Sequence, residues 1–168
     1  MLRAARLESA LYEEVEADRT ATGQAFAVVL MSALATGVGA LGNSGLAGLV
    51  WHSALDVALW YAWAGVTLWI GTRLLPGPET SADLGELLRT LGFASAPGVL
   101  RVLALVPPLG FAVFTVCGLW MIAAMVVALR QALDYSSTAR ALAVCALGAP
   151  VYAVGQMVSL VLLGPWPL

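Results

Sequence analysis

ELLRTLGFASAPGVLRVLALVPPLG, residues 86–110, is the stretch on which the architecture turns. Its apolar run, Phe93 to Val106, carries Arg101 and stops at Pro107-Pro108. As an α-helix this run would rise only about 20 Å against a hydrocarbon core of about 30 Å, so it crosses a bilayer only by continuing from the helix before it or by thinning the membrane. Just upstream, Asp83 followed by Glu86 offers an N-cap with a reciprocal capping carboxylate, and Leu84, Leu87, Leu88 and Leu91 beside Arg89 read as an interfacial helix. Counted as a span, 93–106 is the third of five; left out, four remain.

Working outward, Ala21 to Leu41 carries no charge and is long enough for a first span. Ala33 with Gly37, and Ala35 with Gly39, are small residues four apart, which allows a neighbouring backbone to approach closely; an Ala- and Gly-rich composition alone also accounts for them. The turn cluster Gly42-Asn43-Ser44-Gly45 leads to a second span, 49–75, which holds Trp51, Trp60, Trp63 and Trp69 and ends at Arg73. Pro76-Gly77-Pro78-Glu79-Thr80-Ser81 must then be a polar loop, because each proline lacks an amide proton and restricts the residue before it. Beyond the double proline, 109–129 and 141–163 are two further spans, separated by a polar turn from Arg130 to Arg140. Pro150 is expected to kink the last.

The arginines choose between the two counts, since basic residues near span ends are retained on the cytoplasmic side. With five spans and the N-terminus inside, Arg3, Arg6, Arg19, Arg73, Arg89, Arg130 and Arg140 all fall inside, and only Arg101 lies within a span. Four spans would put Arg130 and Arg140 outside. The expected architecture is therefore an all-α, polytopic integral membrane protein: a five-span helical bundle over 21–163, in the cell (inner) membrane, preceded by a cytoplasmic N-terminal amphipathic helix within 1–20. Residues 164–168 form a short outer tail, and Trp51 and Trp166 sit at the outer interface. Arg73, Glu86, Arg89, Arg130, Asp134 and Arg140 make the cytoplasmic face.

In residues 2–18, Leu7, Leu11 and Val15 fall four apart on one helical stripe, with acidic residues over most of the rest. A lipid-surface helix usually carries basic residues on its polar face, whereas this segment is net negative. Packing on the protein's own cytoplasmic side or on a partner is the favoured reading, with lipid contact as the alternative. No continuous apolar block stands here, so the chain is expected to begin in the cytoplasm without a cleaved signal.

Composition sets the outer limits. Of 168 residues 61% are hydrophobic and 11% charged, and the mean hydropathy is +0.90, far from that of a water-soluble enzyme. The formal charge is −2 and lysine is absent, so no basic patch exists to hold a nucleic acid. Cys117 and Cys145 lie in apolar runs and read as packing residues. His52, beside Trp51 at the outer boundary, has only Asp56 as a polar neighbour at helical spacing; a bond to a headgroup or to its own turn accounts for it better than a metal site. Ser32, Thr36, Thr67, Thr115, Ser159, Gln24 and Gln156 read as groups that bond to the preceding turn or across helices. No catalytic constellation, metal or cofactor is expected.

Two ionisable side chains remain inside spans. Asp56 lies about 25 Å outward from Arg73, and Arg101 about 18 Å outward from Arg89. A long arginine can lean across that difference, and a lone charge in hydrocarbon costs at least about 2.5–3.5 kcal/mol, which favours an intramembrane pair; a substrate or proton path, or an Arg101 that snorkels to the headgroups, are the alternatives.

The segment Glu86-Leu87-Leu88-Arg89-Thr90-Leu91-Gly92-Phe93-Ala94-Ser95-Ala96-Pro97, with Arg101, Pro107-Pro108-Leu109-Gly110, Trp120 and Ala128-Leu129-Arg130-Gln131-Ala132-Leu133-Asp134, resembles the bacterial branch of the Yip1 family. That resemblance implies five spans with a cytoplasmic N-terminus. Eukaryotic relatives bind Rab-type GTPases and act in early secretory traffic, with longer N-terminal segments than the twenty residues that precede the first span here. The functional expectation is a non-enzymatic membrane scaffold or adaptor that contacts the lipid bilayer and either a protein partner or copies of itself. A small transporter or channel subunit is the alternative.

Overall fold

The computed structural model describes residues 1–163; the expected outer tail 164–168, with Trp166, lies outside the described residues. Among the described residues the structure is helical throughout, without a strand. Helices α1 (Leu2–Ala5) and α2 (Ser9–Ala17) precede α3 (Thr22–Gly39) and α4 (Leu41–Trp69), which runs on through a π-helical turn at Ile70–Leu74. After the proline loop come α5 (Leu84–Ala94), a 3₁₀ segment (Ala96–Leu105), α6 (Gly110–Ala132), α7 (Thr138–Gly148) and α8 (Pro150–Leu163). Arg19–Gly39, Gly45–Leu74, Gly110–Ala132 and Thr138–Leu162 are each long and apolar enough to cross a membrane, and α5 with the 3₁₀ segment, bent by 40°, makes a fifth if taken as one span.

The boundaries differ from the sequence expectation where backbone geometry intervenes. Helix resumes at Leu41 rather than 49, directly after the turn at Ala40, and is kinked at Gly45, whose φ of 59° is open to glycine at no steric cost. The last span begins at Thr138 and is broken between Gly148 and Pro150, where proline cannot supply an amide donor. The single amphipathic helix expected over 2–18 is two helices: Leu7 takes a left-handed φ of 61°, which removes it from the stripe shared by Leu11 and Val15. Arg3 fixes that bend by pairing with Glu8 at 3.0 Å and Glu14 at 2.7 Å.

The deciding stretch departs most from regular α-helical geometry. Helix α5 packs into the protein: Leu87 and Leu91 are fully buried, and Arg89 and Thr90 are buried with them. The expected capping box is present, with Glu86 N donating to Asp83 Oδ1 and Asp83 N to Glu86 Oε2. Beyond Ser95 the chain tightens into ten residues of 3₁₀ helix, which rises about 2 Å per residue, so α5 and this segment together extend about 36 Å. They follow α3 in the same direction along its length. Gly92 stands against Ala25 and Gly98 against Ser32, while a Cβ on Gly39 would come within 2.6 Å of the Arg101 carbonyl. Small residues thus let two backbones touch along this seam, and Gly37 plays the same part toward the Leu49 backbone on α4.

Candidate functional site

Two groups of polar residues lie far apart along the bundle. The first is at the end where α3 begins, α4 and α6 finish, and α2 packs on α5 and α6. Tyr135 ties its loops: the hydroxyl donates toward the Gly71 and Leu75 carbonyls at 3.1 and 2.7 Å, while its ring lies under the Arg140 guanidinium, 5.5 Å from the centroid. Arg130 closes the same turn by donating to the Tyr135 carbonyl and to Thr138 Oγ1. Asp134 is exposed, in a left-handed turn of φ 51°. Across the gap, the Thr80 hydroxyl reaches the Leu133 carbonyl at 2.9 Å and locks the proline loop onto this turn. Arg73 is exposed and Glu86 half-buried.

Arg89 is placed differently from the rest: it lies beneath the face, 5% exposed, where Nε donates to the Val15 carbonyl at 2.9 Å and Nη2 to that of Glu16. These are carbonyls of the last turn of α2, which have no intrahelical partner, so Arg89 caps a helix from another part of the chain and meets the negative end of its dipole. Leu11, Tyr12 and Val15 seat α2 on α5 and α6. Gln131 donates to Glu13 at 2.6 Å, and further along α6 the Trp120 indole donates to the Ala5 carbonyl at 2.7 Å.

Glu16 is strongly perturbed here. Burial first, then the negative charges of Asp134 and Glu86, push its carboxyl from 4.5 up to about 7, with Arg89 opposing and Glu13 adding to the rise. A carboxyl raised in the folded state holds its proton there longer than in the unfolded chain, so stability is lost as pH climbs from about 4.5 through 7. Because the group is half-exposed and screened, the effect is about 1 kcal/mol. Glu16→Gln is therefore expected to raise the unfolding midpoint at pH 8 by a few degrees and to leave it unchanged at pH 5; a lower midpoint at pH 8 would contradict this sign.

The second group lies at depth. Arg101 Nη1 stands 3.8 Å from Asp56 Oδ2, with side chains 17% and 19% exposed. The same nitrogen donates to Thr36 Oγ1 at 3.1 Å, and the guanidinium carbon lies 5.7 Å from the Phe114 centroid. Four elements converge here: α3, α4, the 3₁₀ segment and, through Phe114, α6. His52 does not face headgroups: it is buried, with Nδ1 3.2 Å from Ser159 Oγ on α8. The Trp51 indole nitrogen, expected at the wet interface, is likewise enclosed by protein. Thr36 and Thr67 bond to the preceding turn, at the Ser32 and Trp63 carbonyls. Sequence reasoning missed Tyr135 and Thr80, because bonds across 50 or more residues leave no local periodicity.

Among the described residues no three His, Cys, Asp or Glu side chains come together in a metal-binding arrangement. No curated protein and no solved structure matches the chain. The model of the Yip1 domain matches residues 9–160, from the start of α2 into α8 and across both polar groups, and the chain belongs to the Yip1 domain family of multi-pass membrane proteins.

Proposed function

We propose that this protein is a non-enzymatic scaffold or adaptor of the cell membrane, with the N-terminus in the cytoplasm and a working face at the arginine-bearing end. The observation that carries this reading is how that end is built. Three segments distant in sequence, 2–18, 76–92 and 130–140, are tied to one another or to the ends of the spans by side-chain bonds to backbone carbonyls through Arg89, Thr80 and Tyr135. Such bonds hold a shape and leave few groups free for chemistry. Outward-facing Glu13, Asp18, Glu79, Asp83 and Asp134 outnumber exposed Arg19, Arg73 and Arg130 and leave the platform net acidic, which suits a basic partner. Purification from native membranes with a stoichiometric cytoplasmic partner supports the reading; solute or ion flux in liposomes carrying the pure protein, without such a partner, replaces it with transport.

Orientation has its own test. Arg89 is too buried to report accessibility, so exposed Glu79 and Ser136 are the positions to label. With Cys117 and Cys145 replaced, Glu79→Cys and Ser136→Cys are expected to resist an impermeant thiol reagent in intact cells and to react after permeabilisation. Labelling of either in intact cells reverses the topology.

A further inference from the structure

A cavity of about 440 Å³ opens beside α6, where the break before Pro150 separates α7, packed on α6, from α8, packed on α4. Most of its wall is apolar, formed by Trp63, Ile122, Met125, Leu142 and Cys145. Its size falls in the range of small-ligand pockets. Ile122 and Leu142 of this wall are also exposed at the outer surface, so on a membrane-spanning bundle the surrounding medium is lipid.

One part of the wall is polar. Arg101, Tyr152 and Gln156 line this cavity and also a second chamber of about 70 Å³ that reaches Asp56. Gln156 is exposed although it lies inside the span Thr138–Leu162, and an amide turned toward hydrocarbon is strongly disfavoured unless something meets it there. Two further donors in the wall, Trp63 Nε1 and Arg101 Nε, are buried without a partner. The shared end therefore offers donors in excess of acceptors. It does not call for an anion, because Asp56 already stands 3.8 Å from Arg101 and would repel a second carboxylate or a phosphate.

Length and depth narrow the occupant. From Leu142 to Gln156 the α7–α8 wall is about 21 Å long, somewhat more than the roughly 15 Å that one leaflet contributes to the hydrocarbon core. Gln156 lies toward the end of the bundle away from Arg130 and Arg140, where a lipid with its chain running along the cavity would place its ester group. We propose that the cavity takes one acyl chain of a neutral glycerolipid, with the ester carbonyl and a free hydroxyl held by Arg101, Tyr152 and Gln156.

Gly118 supplies a block. It lines the cavity, and a Cβ built on it meets nothing within 4 Å, so the side chain of Gly118→Leu starts into open space. The probe is dibromostearoyl glycerol, whose bromines quench tryptophan on contact, added to the full-length protein in a steroid-based detergent that offers no acyl chain. Saturable quenching is expected, with its amplitude reduced in Trp63→Phe and its midpoint raised roughly tenfold in Gly118→Leu and roughly fivefold in Gln156→Leu. Both midpoint variants are compared at matched helical content by circular dichroism, and the second leaves the cavity volume open. Dibromostearic acid at about pH 8, where its carboxyl is ionised, is expected to bind at least about tenfold more weakly than the glycerol ester. Quenching that rises linearly without saturating, a midpoint unchanged in Gly118→Leu, or an acid that binds as tightly as the ester overturns the proposal.

Discussion

Arg89→Leu is expected to destabilise the protein by about 3–5 kcal/mol and to release the N-terminal helix pair from the bundle. The size follows from what the side chain does. It is a buried cation whose two bonds go to carbonyls of the last turn of α2, which have no other partner in the helix. Charge-assisted bonds of this kind contribute about 1.5–3 kcal/mol each, and leucine would leave the Val15 carbonyl buried and that of Glu16 part-buried, both unmet. Arg89→Lys keeps the charge but not the forked geometry, so about half the loss is expected. Thermal unfolding in detergent gives the stability, and trypsin reports the release, because exposed Arg19 becomes a cleavage point once α2 no longer holds the chain that precedes it. If Arg89→Leu unfolds within about 1 kcal/mol of the parent and resists trypsin equally, the capping role is wrong.

Arg89 also marks how far the sequence could be read. Its value in counting spans came from its sign, and that use needs no knowledge of its contacts. Its bonds join residues 73 and 74 positions apart, and no spacing rule reaches so far. The long apolar helices were legible because hydrocarbon demands an uninterrupted run, and the capping box at Asp83 and Glu86 because its two bonds close within three residues. Local exceptions were not. The left-handed Leu7 interrupts a stripe that reads as continuous by its apolar pattern, and the 3₁₀ geometry of Ala96–Leu105 changes the rise per residue that the span length was judged by. Glycines at 92 and 98 carry the explanation in hindsight: they bring the deciding stretch against Ala25 and Ser32, and α3 then sets its path.

At the other polar group the expected result is coupling. Asp56→Ala and Arg101→Ala should each destabilise the protein by about 2–4 kcal/mol, because each leaves the opposite charge in the interior without its counter-ion. The double variant should lose about 1–2 kcal/mol less than the sum. A separation of 3.8 Å is loose for an ion pair, so the coupling belongs at the lower end, and Thr36 and Phe114 hold part of the guanidinium whether or not Asp56 is present. Exchanging the two residues should restore only a fraction, since an aspartate at 101 is too short to reach Thr36. The measurement is a double-mutant cycle of unfolding midpoints in one detergent, with Asp56→Asn as a fourth variant that removes charge and keeps shape. Strict additivity would sink the pairing and leave Arg101 as an independent residue held by Thr36. Intact coupling with lost solute flux in liposomes would make the pair part of a path, whereas coupling without flux leaves it as a lock between α4 and the 3₁₀ segment, the role that the scaffold reading requires of it.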